Sequence, residues 1–375
     1  MGGRIGWEPI LTISWKVGFE IELMAPAGRT RADLAARTSR RLGGTVGRFF
    51  HPQSESSAGQ TRPVFENLTL GFEAIGPDGR RIAAFVDDLT LQADLDKRAA
   101  PRPGWYRIVA DDARLLQLVA RHCDPSAPLA TVLNPLAALF GTEAQPQPAG
   151  MVRIVDRRGA SVAIGAPLPG ERERPCEIVT APIEADHATV VGGLLADARA
   201  EGFGLPREGA THLHFDAAPL RSARVIAAIV ALFGAHGAAL KRLVGANPHC
   251  VRLGPWPPAL ADLTRSEAFA AMDWPSARSA LGTLGLSKYC DFNLLNIVNE
   301  DPDKHTFEVR ILPAHLTPEP IVEATVLFEA MLRWCSEPQV VARAAPATIE
   351  ALIQALPMGP ADVGLWRARA AAMPR

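Results

Sequence analysis

The sequence predicts an α+β fold, a mainly antiparallel sheet with helices packed on one side. Segments that read as strands do not alternate with helical ones, as parallel βαβ units would require, and hairpin turn signals are frequent. Composition agrees: 375 residues, 48% hydrophobic and 21% charged, describe a globular chain of one large domain or two moderate ones.

Val17-Gly18-Phe19-Glu20-Ile21-Glu22-Leu23 alternates strictly and predicts a half-buried strand. Thr30 with Asp33 three residues on fits a capping box, opening a helix that ends near Gly43-Gly44. Strands follow at Val64–Leu70, Arg81–Val86 and Leu89–Leu95, with a Gly76-Pro77-Asp78-Gly79 turn making a hairpin. Residues 100–150 read as an insertion carrying amphipathic helices at Asp111–Cys123 and Ala127–Phe140. A second hairpin, Val152–Val155 with Ser161–Ile164, closes around Arg158-Gly159. Beyond it come a strand at Cys176–Thr180, a helix at His187–Ala200 stopped by Gly202 and Gly204, and a strand at Thr211–Asp216. A long apolar helix from Pro219 to about Ala235 is followed by helix and Pro-rich loop over 237–291. A strand at His305–Leu312 and a helix at Glu319–Trp334 complete the body, and 336–375 form a helical extension.

Thirty-nine Lys+Arg against 40 Asp+Glu leave a net charge of −1. That balance argues against a nucleic-acid or anionic-membrane binder working through bulk charge. No apolar run is expected to reach the ~20 residues that span a bilayer. Trp7, Glu8 and Pro9 interrupt the stretch where a secretory leader would be apolar. The five cysteines are scattered without a CxxC pair, as reduced thiols would be. These readings set the expectation of a cytoplasmic protein. Arg40–Arg48 is glycine-rich but lacks the Lys-Ser/Thr of a phosphate loop and reads as a helix end and turn.

Four strands carry ionisable residues on one face. Side chains two apart on a strand share a face at ~6.5–7 Å. Glu20 and Glu22 are so related; His212, His214 and Asp216 share a face, as do Glu308 and Arg310, and Glu177 lies on a fourth strand. Each face alone suits a solvated edge strand. Together they are metal-ligand and phosphate-clamp residues in a chain with only five lysines. Carboxylates suit Mg²⁺ or Mn²⁺, and added imidazole favours Mn²⁺ or Zn²⁺.

The ordered set GFEIEL (18–23), EIVTAPI (177–183), THLHFD (211–216) and TFEVR (306–310) resembles the amidoligase family. Those are carboxylate–amine ligases with the fold of glutamine synthetase and glutamate–cysteine ligase. The resemblance covers residues 15–335, with the Tyr289-to-Ile297 segment and its Asn296 included. It implies a curved sheet with a concave active-site face, and an ATP-dependent reaction through an acyl phosphate. By the same resemblance Glu20, His212 and Glu308 would hold a Mg²⁺ or Mn²⁺ ion bridging the ATP phosphates. Glu22 and Glu177 would hold a second ion near the carboxylate substrate. His214 would touch the phosphates and Arg310 would stabilise the transferred phosphoryl group, so Arg310, Glu22 and Glu177 are the catalytic candidates. The family's Asp-Gly-Ser turn has its nearest match in Val86-Asp-Asp-Leu-Thr90, through Asp88.

Lys288, beside Tyr289, is a further candidate nucleotide contact, and Arg242 and Asn247 are candidates for a substrate carboxylate. The expected partners are a small-molecule or peptide carboxylate and an amine, with no nucleic acid and no membrane. Two alternatives use the same residues: a metal-dependent hydrolase, and a degenerate ligase-fold binding protein.

Overall fold

The computed structural model describes residues 13–55, 65–110, 112–250, 252–300, 304–337 and 345–373. The reading of Trp7, Glu8 and Pro9 lies outside them. The first half of the chain contains β1 (Val17–Met24), α1 (Arg31–Leu42), β2 (Thr45–Glu55), β3 (Phe65–Ile75), β4 (Arg81–Val86) and β5 (Tyr106–Ala110). Next come α2 (Ala113–His122), α3 (Leu129–Val132), α4 (Asn134–Leu139), β6 (Gln145–Pro146), β7 (Val152–Val155), β8 (Ser161–Pro167) and β9 (Pro175–Thr180). The second half contains α5 (His187–Ala200), β10 (Ala210–Asp216), α6 (Ala223–Val244), α7 (Pro258–Thr264), α8 (Glu267–Ala270) and α9 (Trp274–Gly282). It ends with β11 (Phe292–Asn293), α10 (Leu295–Asn299), β12 (Thr306–Pro313), α11 (Pro318–Ser336), α12 (Ile349–Ala355) and α13 (Pro360–Ala371). Mixed helices and extensive antiparallel pairing, with no closed barrel, bear out the α+β class.

The chain divides into two units. The first comprises Met1–Ile21, Pro182–Leu195 and Gly209–Arg375. Its strands run in the order β11-β12-β10-β1, and the β1–β10, β10–β12 and β11–β12 pairs are antiparallel. Alternation sorts their side chains. Leu213, Phe215, Phe307 and Val309 are fully buried on one face, leaving the polar residues on the other. On the apolar side Phe233 of α6 meets Phe292, Phe307 and Phe328 at ring-centroid distances of 4.8, 5.2 and 6.3 Å. By length and composition α6 is apolar enough to cross a membrane, which corrects the expectation that no run reaches that length. The helix continues past Ala235 to Val244, and Ile226, Ile229, Leu232, Phe233 and Leu240 are buried in the core of this unit.

The second unit comprises Glu22–Ala181 and Ala196–Glu208. Its strands follow the order β9-β4-β3-β5-β8-β7-β6, with β2 added to β3. Here α1 opens with Asp33 accepting from the Thr30 amide at 2.8 Å and ends at Gly43 with φ 67°, as a C-terminal glycine allows. Fully buried Arg31 lies over Trp105, 4.6 Å from its ring, and Trp105 packs on Phe72. The helix therefore covers the face of β3 that holds Leu68, Leu70 and Phe72.

Three segments differ from expectation. Residues 45–48 are not a turn but the start of β2, an eleven-residue strand paired with β3 along its whole length. Residues 89–95 form turns: the Asp88 carboxylate accepts from the Thr90 amide at 2.7 Å, and Arg172 takes the Leu91 carbonyl at 2.9 Å. The helix expected over 127–140 is split into α3 and α4, because Pro135 cannot continue a helical ladder.

Candidate functional site

On β1 and β10 Glu20 stands opposite His212, and on β10 and β12 His214 stands opposite Glu308. These four side chains share the polar face of the first unit and are each at most 8% exposed. Glu20 Oε2 lies 3.1 Å from His212 Nδ1 and 3.2 Å from His214 Nε2. Glu308 Oε1 lies 3.6 Å from His212 Nδ1 and 3.7 Å from His214 Nε2. Both imidazoles thus bridge both carboxylates, and one ligand atom each from Glu20, His214 and Glu308 fall within 4.8 Å of one another. His214 is as close to the acids as His212, although the resemblance places it on the ATP phosphates.

A bulge sets the next residue in place. The β10–β12 register shifts between Thr211 and Leu213, which lets Arg310 keep the face of Glu308 while Leu312 joins the apolar side. Arg310 Nη1 donates to Glu308 Oε1 at 2.6 Å. From β11, opposite Glu308 in the ladder, Asn293 Nδ2 donates to Oε2 at 2.7 Å. Lys304 Nζ donates to Glu20 Oε1 at 2.8 Å. Thr306 Oγ1 lies 3.0 Å from His214 Nδ1 and accepts from Asn296 Nδ2 at 3.4 Å. Such outer contacts fix ring orientation and tautomer in metal sites.

The electrostatics keep these groups in ligand-competent form. Burial works to raise the Glu308 pKa, but His214 and Arg310 hold it down at about 2. Burial acts the same way on Glu20, where His214 and Lys304 prevail and lower it well below the usual range. Burial and then Arg310 lower the pKa of His212, so its ring is neutral at pH 7. Ionised carboxylates and neutral imidazole are the states a metal ion needs. His214 Nε2 is buried without an aligned hydrogen bond while facing two carboxylates, which fits a ligand position.

The second unit carries acidic ligands of its own. Ligand oxygens of Glu22, Asp88 and Glu177 lie within 4.8 Å of one another. Glu22 is on β1, two residues from Glu20 and on its face, and Glu177 is on β9 opposite Val86 of β4. Asp88 follows β4 on a turn held by Arg172, whose guanidinium bonds the fully buried Asp87 carboxylate and the Asp88 carbonyl at 2.8 Å. Three carboxylates this close repel unless a cation sits among them. Cys176, beside Glu177, is fully buried, and burial raises its thiol pKa; it belongs to the core, as its place in the alternation predicts.

The structure thus groups Glu20, His212, His214, Glu308 and Arg310 in one unit, and Glu22 with Glu177 in the other. The Lys288 ammonium lies 5.5 Å from the Tyr289 ring, with Arg252 at 5.2 Å over the same ring. The ammonium of Lys304, a residue that sequence reading passed over, reaches Glu20. Its rarity as one of five lysines was the available signal. Asn293 was also missed, and Asp88 was read only as part of a turn. Asn247 donates to the Gly209 carbonyl at 2.9 Å.

No curated protein and no solved structure matches this chain. A family model described as "Putative amidoligase enzyme" matches residues 14–332, spanning every strand of both acidic groups. The chain belongs to the amidoligase family.

Proposed function

We propose that this protein is an ATP-dependent carboxylate–amine ligase. Family membership points to an amide-bond ligase, and the observation that carries the finer reading is the buried Glu20–His212–His214–Glu308 group with Arg310 against it. A buried set of two ionised carboxylates and two imidazoles beside a guanidinium suits a metal–triphosphate and the charge of a transferring phosphoryl group.

In this reading Glu20, His212, His214 and Glu308 hold a divalent ion at the nucleotide, and Glu22, Asp88 and Glu177 hold one near the substrate carboxylate. A bound Mg²⁺ or Mn²⁺ ion would supply neutralisation of the phosphate charge. A carboxylate oxygen attacks the γ-phosphorus and the bond to ADP breaks, giving an acyl phosphate. The amine nitrogen then attacks the acyl carbon, phosphate leaves, and the amine gives up a proton. Arg310, anchored by Glu308, offers its remaining N–H donors to the transferred phosphoryl oxygens. Asn293 and Thr306 orient Glu308 and His214, and burial keeps water from competing for the acyl phosphate.

The test is turnover. Purified protein with Mg²⁺ releases ADP only when a matching acid and amine are both present, and Glu20→Gln and Arg310→Ala lose that release. Full activity in either variant removes the role assigned to it. Cleavage of a substrate without any nucleotide would instead favour the metal-dependent hydrolase.

A further inference from the structure

The face of the second unit that carries Glu177 continues across its other strands. In the β9–β4 ladder Glu177 pairs with Val86, and the β4–β3 register places Val86 level with Gly71. Along β3 the same face then presents Thr69 and Asn67. Across β2 and β5, Thr69 stands between His51 and Arg107, and Asn67 between Gln53 and Val109. Two strands further, Arg153 joins this face opposite Ile164.

Asn67 and Thr69 are each 1% exposed, and among the described residues neither the Asn67 amide oxygen and nitrogen nor the Thr69 hydroxyl has a hydrogen-bond partner. The Gln53 amide oxygen on the neighbouring strand is likewise buried without a partner. A buried amide or hydroxyl left unsatisfied costs about 1–3 kcal/mol. Native sheets seldom carry two on successive positions of one strand face unless something else uses them. The opposite face of β3, with Leu68, Leu70 and Phe72, is ordinary apolar core, so the polar pair is not forced by packing under α1. Of the residues that flank the pair, His51, Gln53 and Arg107 are half-buried, and Gln53 donates its amide nitrogen to the Asp87 carbonyl.

We propose that Asn67 and Thr69 form a recognition subsite for a short peptide-like acid. An Asn side chain offers one donor side and one acceptor side, the complement of a peptide group. Arg107 and Arg153 on the same face suit an anionic end. Two strand spacings and one two-residue step place Thr69 about 12 Å from Glu177, backbone to backbone. An extended peptide of two or three residues covers that span at roughly 3.3–3.6 Å per residue. The subsite therefore reads the body of a substrate whose reacting carboxyl lies at Glu22, Asp88 and Glu177. The inference rests on the ligase reading only for the position of that carboxyl.

The test uses the full chain without nucleotide or metal, so its outcome is separate from that of the ligase assay. A library of free L-dipeptides and L-tripeptides is screened by saturation-transfer NMR. Library members bind the wild type, and Asn67→Leu and Thr69→Val each weaken the same hits roughly tenfold to hundredfold. Without peptide, both variants melt about 2–4 °C higher, since an unsatisfied buried group has been removed. A subsite maintained at a cost to stability gives that pairing, whereas residues that hold the fold give a lower melting temperature. The proposal fails if no library member binds the wild type, if the hits bind both variants unchanged, or if both variants melt lower. Should Asn67→Leu not fold, Thr69→Val carries the same three outcomes.

Discussion

Asn293 donates its amide to Glu308 Oε2 at 2.7 Å from the facing position of the β11–β12 ladder. Arg310 takes the other oxygen at 2.6 Å, so the carboxylate is held at both ends and presents a fixed edge to His212 and His214. Asn293 bonds the carboxylate in this arrangement. Its removal leaves every proposed ligand in place but frees the Glu308 carboxyl to rotate. Loss of an outer-shell partner of this kind typically costs about 10–100-fold in metal affinity. Asn293→Ala is expected to weaken Mn²⁺ binding by that factor, read by electron paramagnetic resonance titration, with an unchanged circular dichroism spectrum.

Lys304 acts in the opposite sense. Its ammonium sits on Glu20 Oε1 at 2.8 Å, and the lysine side chain is 50% exposed, so the pair is solvent-screened and weak. An incoming divalent ion must compete with it for the same carboxylate. Lys304→Met is expected to tighten Mn²⁺ binding about threefold, a change on the scale of an exposed ion pair. The same titration in a Glu20→Gln background should show no such gain, since the contested oxygen has lost its charge.

Acid should unfold the first unit through the same acids. Glu308 titrates at about 2 in the fold, against about 4.3 for an unperturbed glutamate. A folded pKa below the unfolded one means that the unfolded chain binds more protons. The stability contributed by Glu308 is therefore complete above about pH 4.3 and is lost as pH falls toward 2. Urea midpoints of the wild type should drop through this window, and those of Glu308→Gln should drop less steeply. An equal slope in both proteins would remove Glu308 from the account.

Much of this site is legible in the sequence because a strand writes its faces in a period of two. Glu20 with Glu22, His212 with His214, and Glu308 with Arg310 announce a shared face whatever the strands pair with. What alternation cannot show is which residue arrives from another element. Lys304 precedes β12, Asn293 belongs to a two-residue strand, and Asp88 follows β4, and each reaches the acids only through tertiary placement. β2 is hidden for a different reason. Gly44 and Gly47 look like turn residues, yet a side chain at Gly44 would lie 1.9 Å from the Ile75 carbonyl oxygen, and one at Gly47 would lie 2.7 Å from Glu73. Gly44 thus lets two backbones approach just before β2, and Gly47 leaves room for the Glu73 side chain. Residues 89–95 mislead in the other direction, because an apolar alternation there is overruled by side chains of Asp88 and Arg172 that bond the backbone into turns.

The last of these contacts also makes a stability prediction. Asp87 is fully buried and meets Arg172, whose side chain is 11% exposed. Arg172 further bonds the Asp88 and Leu91 carbonyls at 2.8 and 2.9 Å, so one guanidinium ties down the turn that presents Asp88 to Glu22 and Glu177. Removing the Asp87 carboxylate leaves a buried cation without its counter-charge, a change that costs roughly 3–5 kcal/mol. Asp87→Ala should lower stability by that amount in urea unfolding. Arg172→Met offers the contrast, because it removes the cation and fills the space. It also releases the Asp88 and Leu91 carbonyls, so its loss reports on the turn as well as on the buried charge. Both variants should weaken any ion held at Asp88, since the turn that carries it is no longer anchored. If Asp87→Ala unfolds at the wild-type urea concentration, the buried pair is not what holds the turn.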